Sequence, residues 1–155
     1  MYHDISMAGS VITFTGNSGL KVSQINEFSS NEDPIQVSDL EVAAGEMNIN
    51  GEIVTWAKPN PVQVSFSLIP FSASQIKLDT FLAAMHIGGA NYKAPKAKID
   101  AMTISVPAEG GEGNRGLEWT FKNGRLLSGP PAVGSSTEGR GNSCTYVFIF
   151  ESVNK

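Results

Sequence analysis

Val62-Gln63-Val64-Ser65-Phe66-Ser67-Leu68-Ile69-Pro70-Phe71-Ser72-Ala73-Ser74-Gln75-Ile76-Lys77-Leu78 changes period in mid-course. From Val62 to Leu68 apolar residues alternate with Gln63, Ser65 and Ser67, the period of two of a strand with one core-facing side and one uncharged polar side. Pro70 cannot donate to a ladder and ends the strand. A helix start follows at once. Ser72 is a capping residue, Gln75 three positions on can close a capping box, and Phe71 is placed to staple onto Ile76. Leu78, Phe81, Leu82 and Met85 then recur at helical spacing, and Gly88 supplies a left-handed stop, so a helix is expected over about 73–87.

Working outward, Asn50-Gly51 is a two-residue hairpin signal, since both central positions of a type I′ turn need positive φ. Met47, Ile49, Ile53 and Thr55 or Trp56 build that hairpin on the N-terminal side of the strand. Towards the C-terminus, Ile99 to Val106 reads as a strand, Leu117, Trp119 and Phe121 as another, and Asn123-Gly124 as a second hairpin turn returning through Leu126 and Leu127. Tyr146-Val147-Phe148-Ile149-Phe150 is nearly continuous in β-formers and is expected to be buried on both faces. Upstream, Val11–Thr15 and the run from Leu20 to Phe28 give two more strands, with Ile35 and Val37 a brief third. Sixteen glycines and eight prolines punctuate these runs. The expected class is mainly β, an antiparallel β-sandwich or small barrel of roughly seven to nine short strands, with one flanking helix. The 155 residues suit one domain, 1–155, with residues 1–9 as a loose arm and 29–45 as an extended acidic loop.

Charge placement is uneven. Between Lys21 and Lys58 stand seven carboxylates (Glu27, Glu32, Asp33, Asp39, Glu41, Glu46 and Glu52) and no basic residue, whereas the rest of the chain has eleven basic against eight acidic side chains. This is either a solvated acidic loop or one face of a polarised subunit that meets a basic face on a neighbour. Lys93, Lys96 and Lys98 are the basic cluster, read as a solvated loop or as a contact for such an acidic surface. An acidic chain without a basic stripe interleaved with aromatics does not suit a nucleic-acid binder. No apolar run approaches the about 20 residues of a membrane span, so no membrane insertion is expected, and no basic lead with an apolar core marks a secretory signal.

Candidate chemistry is sparse. Gly111, Gly113 and Gly116 have the spacing of a dinucleotide loop, but that fingerprint needs a helix opening at its end, and Leu117–Phe121 alternates as a strand. His3 and His86 are the only histidines, and His86 falls at the expected helix end, where a cation suits the dipole. No third ligand stands at a metal-binding spacing. Cys144, the single cysteine, opens a β run and reads as a core residue. No serine sits in a nucleophile elbow. The expectation is a protein that is not an enzyme, with no cofactor and no metal.

Two stretches resemble a known family. Asn50-Gly51-Glu52-Ile53-Val54-Thr55-Trp56-Ala57-Lys58-Pro59-Asn60-Pro61, running on to Pro70, resembles the central region of tail tube proteins of contractile-tailed bacteriophages. Trp119-Thr120-Phe121-Lys122-Asn123-Gly124-Arg125-Leu126-Leu127-Ser128-Gly129-Pro130-Pro131, with a glycine-rich loop and an aromatic terminal strand after it, is similar to their C-terminal half. The haemolysin-coregulated tube proteins of type VI secretion look like relatives. The resemblance implies a tail-tube-like fold whose copies form hexameric rings, stacked helically into a hollow tube within the virion and assembled in the host cytoplasm. It further implies tail sheath, baseplate and tape-measure proteins as partners, and DNA that passes through during ejection without specific binding.

Within that expectation, Gln63, Ser65 and Ser67 are the lumen-facing candidates, because an uncharged hydrated wall does not hold phosphates. Glu32, Asp33, Pro34, Asp39, Glu41, Lys93, Lys96 and Lys98 are the candidates for contacts between rings or subunits. A long polar loop gains order only against a partner, so deleting residues 30–42 is expected to spare the fold and stop polymerisation. The alternatives are a ring protein at the end of the tube, a type VI tube protein, or, in another class, a monomeric β-sandwich ligand-binding module. Trp56 and Trp119 are expected to pack within their hairpins, which disfavours the last.

Overall fold

In the computed structural model, Val62, Val64, Phe66 and Leu68 all point into one apolar core while Gln63 faces out. The model describes residues 10–15, 25–29, 34–90, 92, 99–106, 117–135 and 139–154. Eight strands and one helix are found among them: β1 (Val11–Thr15), β2 (Ile35–Val37), β3 (Ala43–Met47), β4 (Ile53–Ala57), β5 (Val62–Leu68), α1 (Ala73–Met85), β6 (Ile99–Val106), β7 (Leu117–Ser128) and β8 (Cys144–Asn154). Six strands form one antiparallel sheet in the order β1-β6-β7-β8-β5-β2, and β3 and β4 form a separate pair.

The large sheet is curled into a half-barrel. Phe14 on β1 lies 5.5 Å, ring to ring, from Phe148 on β8, although β6 and β7 run between them. In a flat sheet, three strand spacings would separate them by roughly 14 Å. The source of the curl is visible in the side-chain phase. Phe121 and Leu126 are both buried on β7 although five residues apart, an odd interval that a regular strand of period two cannot supply. Between them Asn123 takes φ 55°, and Gly124 runs so close under the Phe150 ring and the Ile149 carbonyl that no Cβ fits. Glycine at such a point marks a tight bend in a sheet. Asn123-Gly124 is therefore a kink inside one twelve-residue strand, paired on both sides, and not the expected hairpin turn.

The concave side holds the core. Phe66 stacks on Phe148 at 5.3 Å, Phe148 on Phe150 at 6.2 Å, and Leu78 and Phe81 of α1 close the same cluster. The helix covers this side only. Consequently β8 is not buried on both faces as expected: Tyr146, Phe148 and Phe150 are buried, Thr145 is exposed, and Val147 and Ile149 are half-buried.

The helix begins as the sequence indicates, with the Ser72 hydroxyl accepting from the Gln75 N–H at 3.2 Å. The rest of the start differs. The Gln75 carbonyl oxygen accepts from the N–H of Phe71 (3.3 Å) and its amide donates to the Tyr146 hydroxyl (3.3 Å), so this side chain ties the cap to the sheet. Phe71 and Ile76 are both exposed, and Phe71 takes φ 63°, so the pair does not staple into the core. The last helical residue is Met85, and His86, the C-cap, is exposed.

The acidic loop is more structured than its composition implies. β2 lies inside it, paired with β5 through Ile35↔Phe66 and Val37↔Val64, and the Ser38 N–H donates to the Gln63 carbonyl. Deleting residues 30–42 would strip this edge strand from β5, so that deletion does not separate folding from assembly.

Candidate assembly surfaces

Asn48 organises the tip of the β3–β4 hairpin. Its side-chain oxygen accepts from the N–H groups of Asn50 (3.0 Å) and Glu52 (2.9 Å), and its own N–H donates to the Glu52 carbonyl (2.8 Å). Gly51, at φ 82°, donates to the Asn48 carbonyl at 3.0 Å. Only the glycine of the Asn-Gly pair carries positive φ, so the connection is a longer loop ending in a left-handed glycine, not a two-residue type I′ turn. At the root, Lys58 bonds Glu41 at 2.9 Å. That hydrogen bond, with the Lys58 charge, holds the Glu41 carboxyl below its ordinary range.

This hairpin has no core of its own. Its pairing puts Ala43, Gly45 and Met47 opposite Ala57, Thr55 and Ile53 on one uncharged face, and Ala44 and Glu46 opposite Trp56 and Val54 on the other. All of β4 is exposed. Met47 is 68% exposed, Ile53 74%, Trp56 49%, and Ile49 at the tip is fully exposed. An isolated two-stranded hairpin is at best marginally stable in water, and one that shows apolar side chains on both faces gains its order from a partner. Trp56, opposite Ala44, thus packs only in part within its hairpin, whereas Trp119 lies partly against the core.

The second surface is the outer, convex face of the sheet. It carries Gln63 and Ser65, together with a row of threonines that register brings side by side across three strands, Thr13↔Thr103↔Thr120. Thr103 and Thr120 bond each other at 3.4 Å. Of the three lumen-facing candidates, Gln63 is exposed and Ser65 half-buried, but Ser67 is buried, its hydroxyl 2.9 Å from that of Thr145. Ser67 thus fails as a surface residue of the isolated chain. The threonine row leaves no signal in the sequence because its members lie far apart, and only strand register aligns them.

The remaining site candidates are placed as follows. Pro34 is exposed and its carbonyl accepts from the Ser67 N–H; Asp39 and Glu41 are exposed. Glu32, Asp33, Lys93, Lys96 and Lys98 lie outside the described residues, as do the 1–9 arm, His3 and the Gly111–Gly116 motif. Cys144 is buried, and burial pushes its thiol up. Among the described residues no group of three or more His, Cys, Asp or Glu side chains is placed to hold a metal, and no helix is long and apolar enough to cross a membrane.

A family model described as tail fiber protein gp32 matches residues 3–154, nearly the whole chain. The chain belongs to the tail fiber protein gp32 family. This makes it a phage-tail-related structural protein. No curated protein matches the sequence. Among solved structures, this gp32-family chain is similar to the tube-terminating cap of the anti-feeding prophage, with a TM-score of 0.57 over 99% of this chain and 91% of that one. At 14% identity that likeness concerns the fold. It accords with the mainly β, tail-associated architecture expected from the sequence. For a structural protein of the gp32 family, the hairpin and the hydroxyl-lined face are the surfaces on which function is to be sought.

Proposed function

We propose that this chain is a building block of a phage tail tube. Identical copies close into hexameric rings, as the resemblance to tail tube proteins implies, and the rings stack around a passage for DNA. The observation that carries the reading is the β3–β4 hairpin, an ordered arm with apolar side chains on both faces and no further strand paired to it among the described residues. A contact between different surfaces of identical subunits propagates into rings or stacks. The convex face suits the wall of the passage: Thr13, Gln63, Ser65, Thr103 and Thr120 form an uncharged stretch of hydroxyls and an amide, and Glu118 and Lys122, which flank Thr120 on β7, are of opposite charge, so this stretch carries no excess of cations to hold phosphates. In this reading the chain works by assembly and not by catalysis. It belongs to the virion, is put together in the host cytoplasm, and meets sheath, baseplate and tape-measure proteins.

A second reading, a ring at the end of the tube, is favoured by the likeness to a tube-terminating cap. Negative-stain imaging of the purified chain separates the two. Long tubes support the subunit reading and isolated rings support the tube end. Solitary particles at millimolar concentration exclude both.

A further inference from the structure

Among the described residues, strand β5 has an exposed apolar surface at each end. From the Val62 end leaves the hairpin with Met47, Ile49, Ile53 and Trp56 exposed. At the Leu68 end, roughly 20 Å away along the strand, Ile69, Phe71 and Ile76 are exposed in the turn into α1. Phe71 is the most telling of these. It takes φ 63°, a conformation that costs a residue with a Cβ and that glycine adopts freely, yet its ring is 72% exposed to water. Strain of this kind persists where the arrangement serves a purpose other than stability.

The charges at the two ends differ. The hairpin carries Glu46 and Glu52. The far patch is flanked by Lys77, exposed and next to Ile76, and by Arg140, exposed in a segment that runs against Pro70, where a Cβ built on Gly141 would lie 3.1 Å from the proline Cβ. Glu27 also reaches this end, with its carboxylate accepting from Ser74 at 3.5 Å. Pairing hairpin to hairpin would set Glu46 and Glu52 against the same two carboxylates, whereas pairing hairpin to patch sets them against two cations, Lys77 and Arg140, and one carboxylate, Glu27.

We propose that the hairpin of one copy docks on the Ile69–Phe71–Ile76 patch of a second copy, head to tail. The proposal rests on the tube-subunit reading and names the surface that receives the arm. Because donor and acceptor are different surfaces at opposite ends of one strand, the contact is heterologous and passes from copy to copy, which is what stacking requires.

Two variants test it. Phe71→Gly removes the aromatic anchor and relieves the strained φ, so its melting temperature is expected to equal or exceed that of the wild type. Its threshold concentration for assembly is expected to rise about thirtyfold, the loss of one aromatic anchor residue. Met47→Ser with Ile53→Ser disables the arm and leaves the acceptor intact. At concentrations between the wild-type threshold and that of Phe71→Gly, each variant alone is expected to fail to elongate, while an equimolar mixture forms discrete pairs of chains or of rings and nothing longer. If wild type builds tubes and Phe71→Gly builds them at the same threshold, or if the mixture does not pair, the acceptor assignment is wrong and the tube reading stands. If wild type itself stays monomeric, both fall.

Discussion

Replacing Gly124 with alanine separates two readings of one dipeptide by the sign of the effect. Gly124 does not take a positive φ. In open surroundings an added methyl at such a site would stabilise the chain by about 0.4–1 kcal/mol, through a less free unfolded state. The structure leaves no room for it, since the new Cβ meets the Phe150 ring and the carbonyl oxygen of Ile149. One of these obstacles is backbone in a strand paired on both sides, which puts the cost near the upper end of overpacking, about 3 kcal/mol. For a domain of this size that lowers the melting temperature by roughly 6–12 °C. The assay is urea unfolding at low protein concentration in the Met47→Ser, Ile53→Ser background, so that self-association does not add to apparent stability. Phe150→Leu should recover part of the loss, giving a coupling of about 1 kcal/mol in a double-mutant cycle; the carbonyl clash keeps the rest. A Gly124→Ala chain as stable as the wild type, or strict additivity with Phe150→Leu, would refute the kink and the curl built on it.

Three further outcomes are expected. Tyr146 is buried, and despite the Gln75 hydrogen bond burial pushes its hydroxyl up to about 12. The folded state thus favours the protonated phenol, so its contribution is fully present below about pH 10 and is lost as pH rises through about 12, at up to about 1.4 kcal/mol per pH unit. Ultraviolet titration should show a late-ionising tyrosine that is lost in Tyr146→Phe. Ser72→Ala removes the acceptor for the Gln75 N–H and should cost about 1 kcal/mol in chemical denaturation. Lys58→Ala should return the Glu41 carboxyl upward to its ordinary range in an NMR titration while leaving the melting temperature unchanged, since the pair is exposed.

What the sequence discloses and what it hides divide along physical lines. The β5–α1 unit is legible because each signal is local: alternation from Val62 to Leu68, a proline stop, and a serine cap answered by Gln75. Asn123-Gly124 misleads because positive φ at Asn123 serves a bend as well as it serves a turn, and the difference lies in Phe150, which is distant in sequence. Periodicity shows that Met47, Ile53 and Trp56 are made for burial, but it does not say in whose core. The charge asymmetry between residues 22 and 57 leaves a solvated loop and an interface both open; the alternation of Ile35 and Val37 does mark strand β2, but not its pairing with β5. The threonine row is invisible for the same reason that any cross-strand pair is: register is a tertiary property.

The central claim is that the hairpin of residues 43–57 is ordered in service of another copy of the chain. Sedimentation velocity over a concentration series, with wild type and the Met47→Ser, Ile53→Ser variant side by side, tests it most directly. The account predicts that wild type grows into large particles while the variant, equally folded by circular dichroism, stays unstacked at every concentration. A variant that assembles as readily as wild type would contradict it.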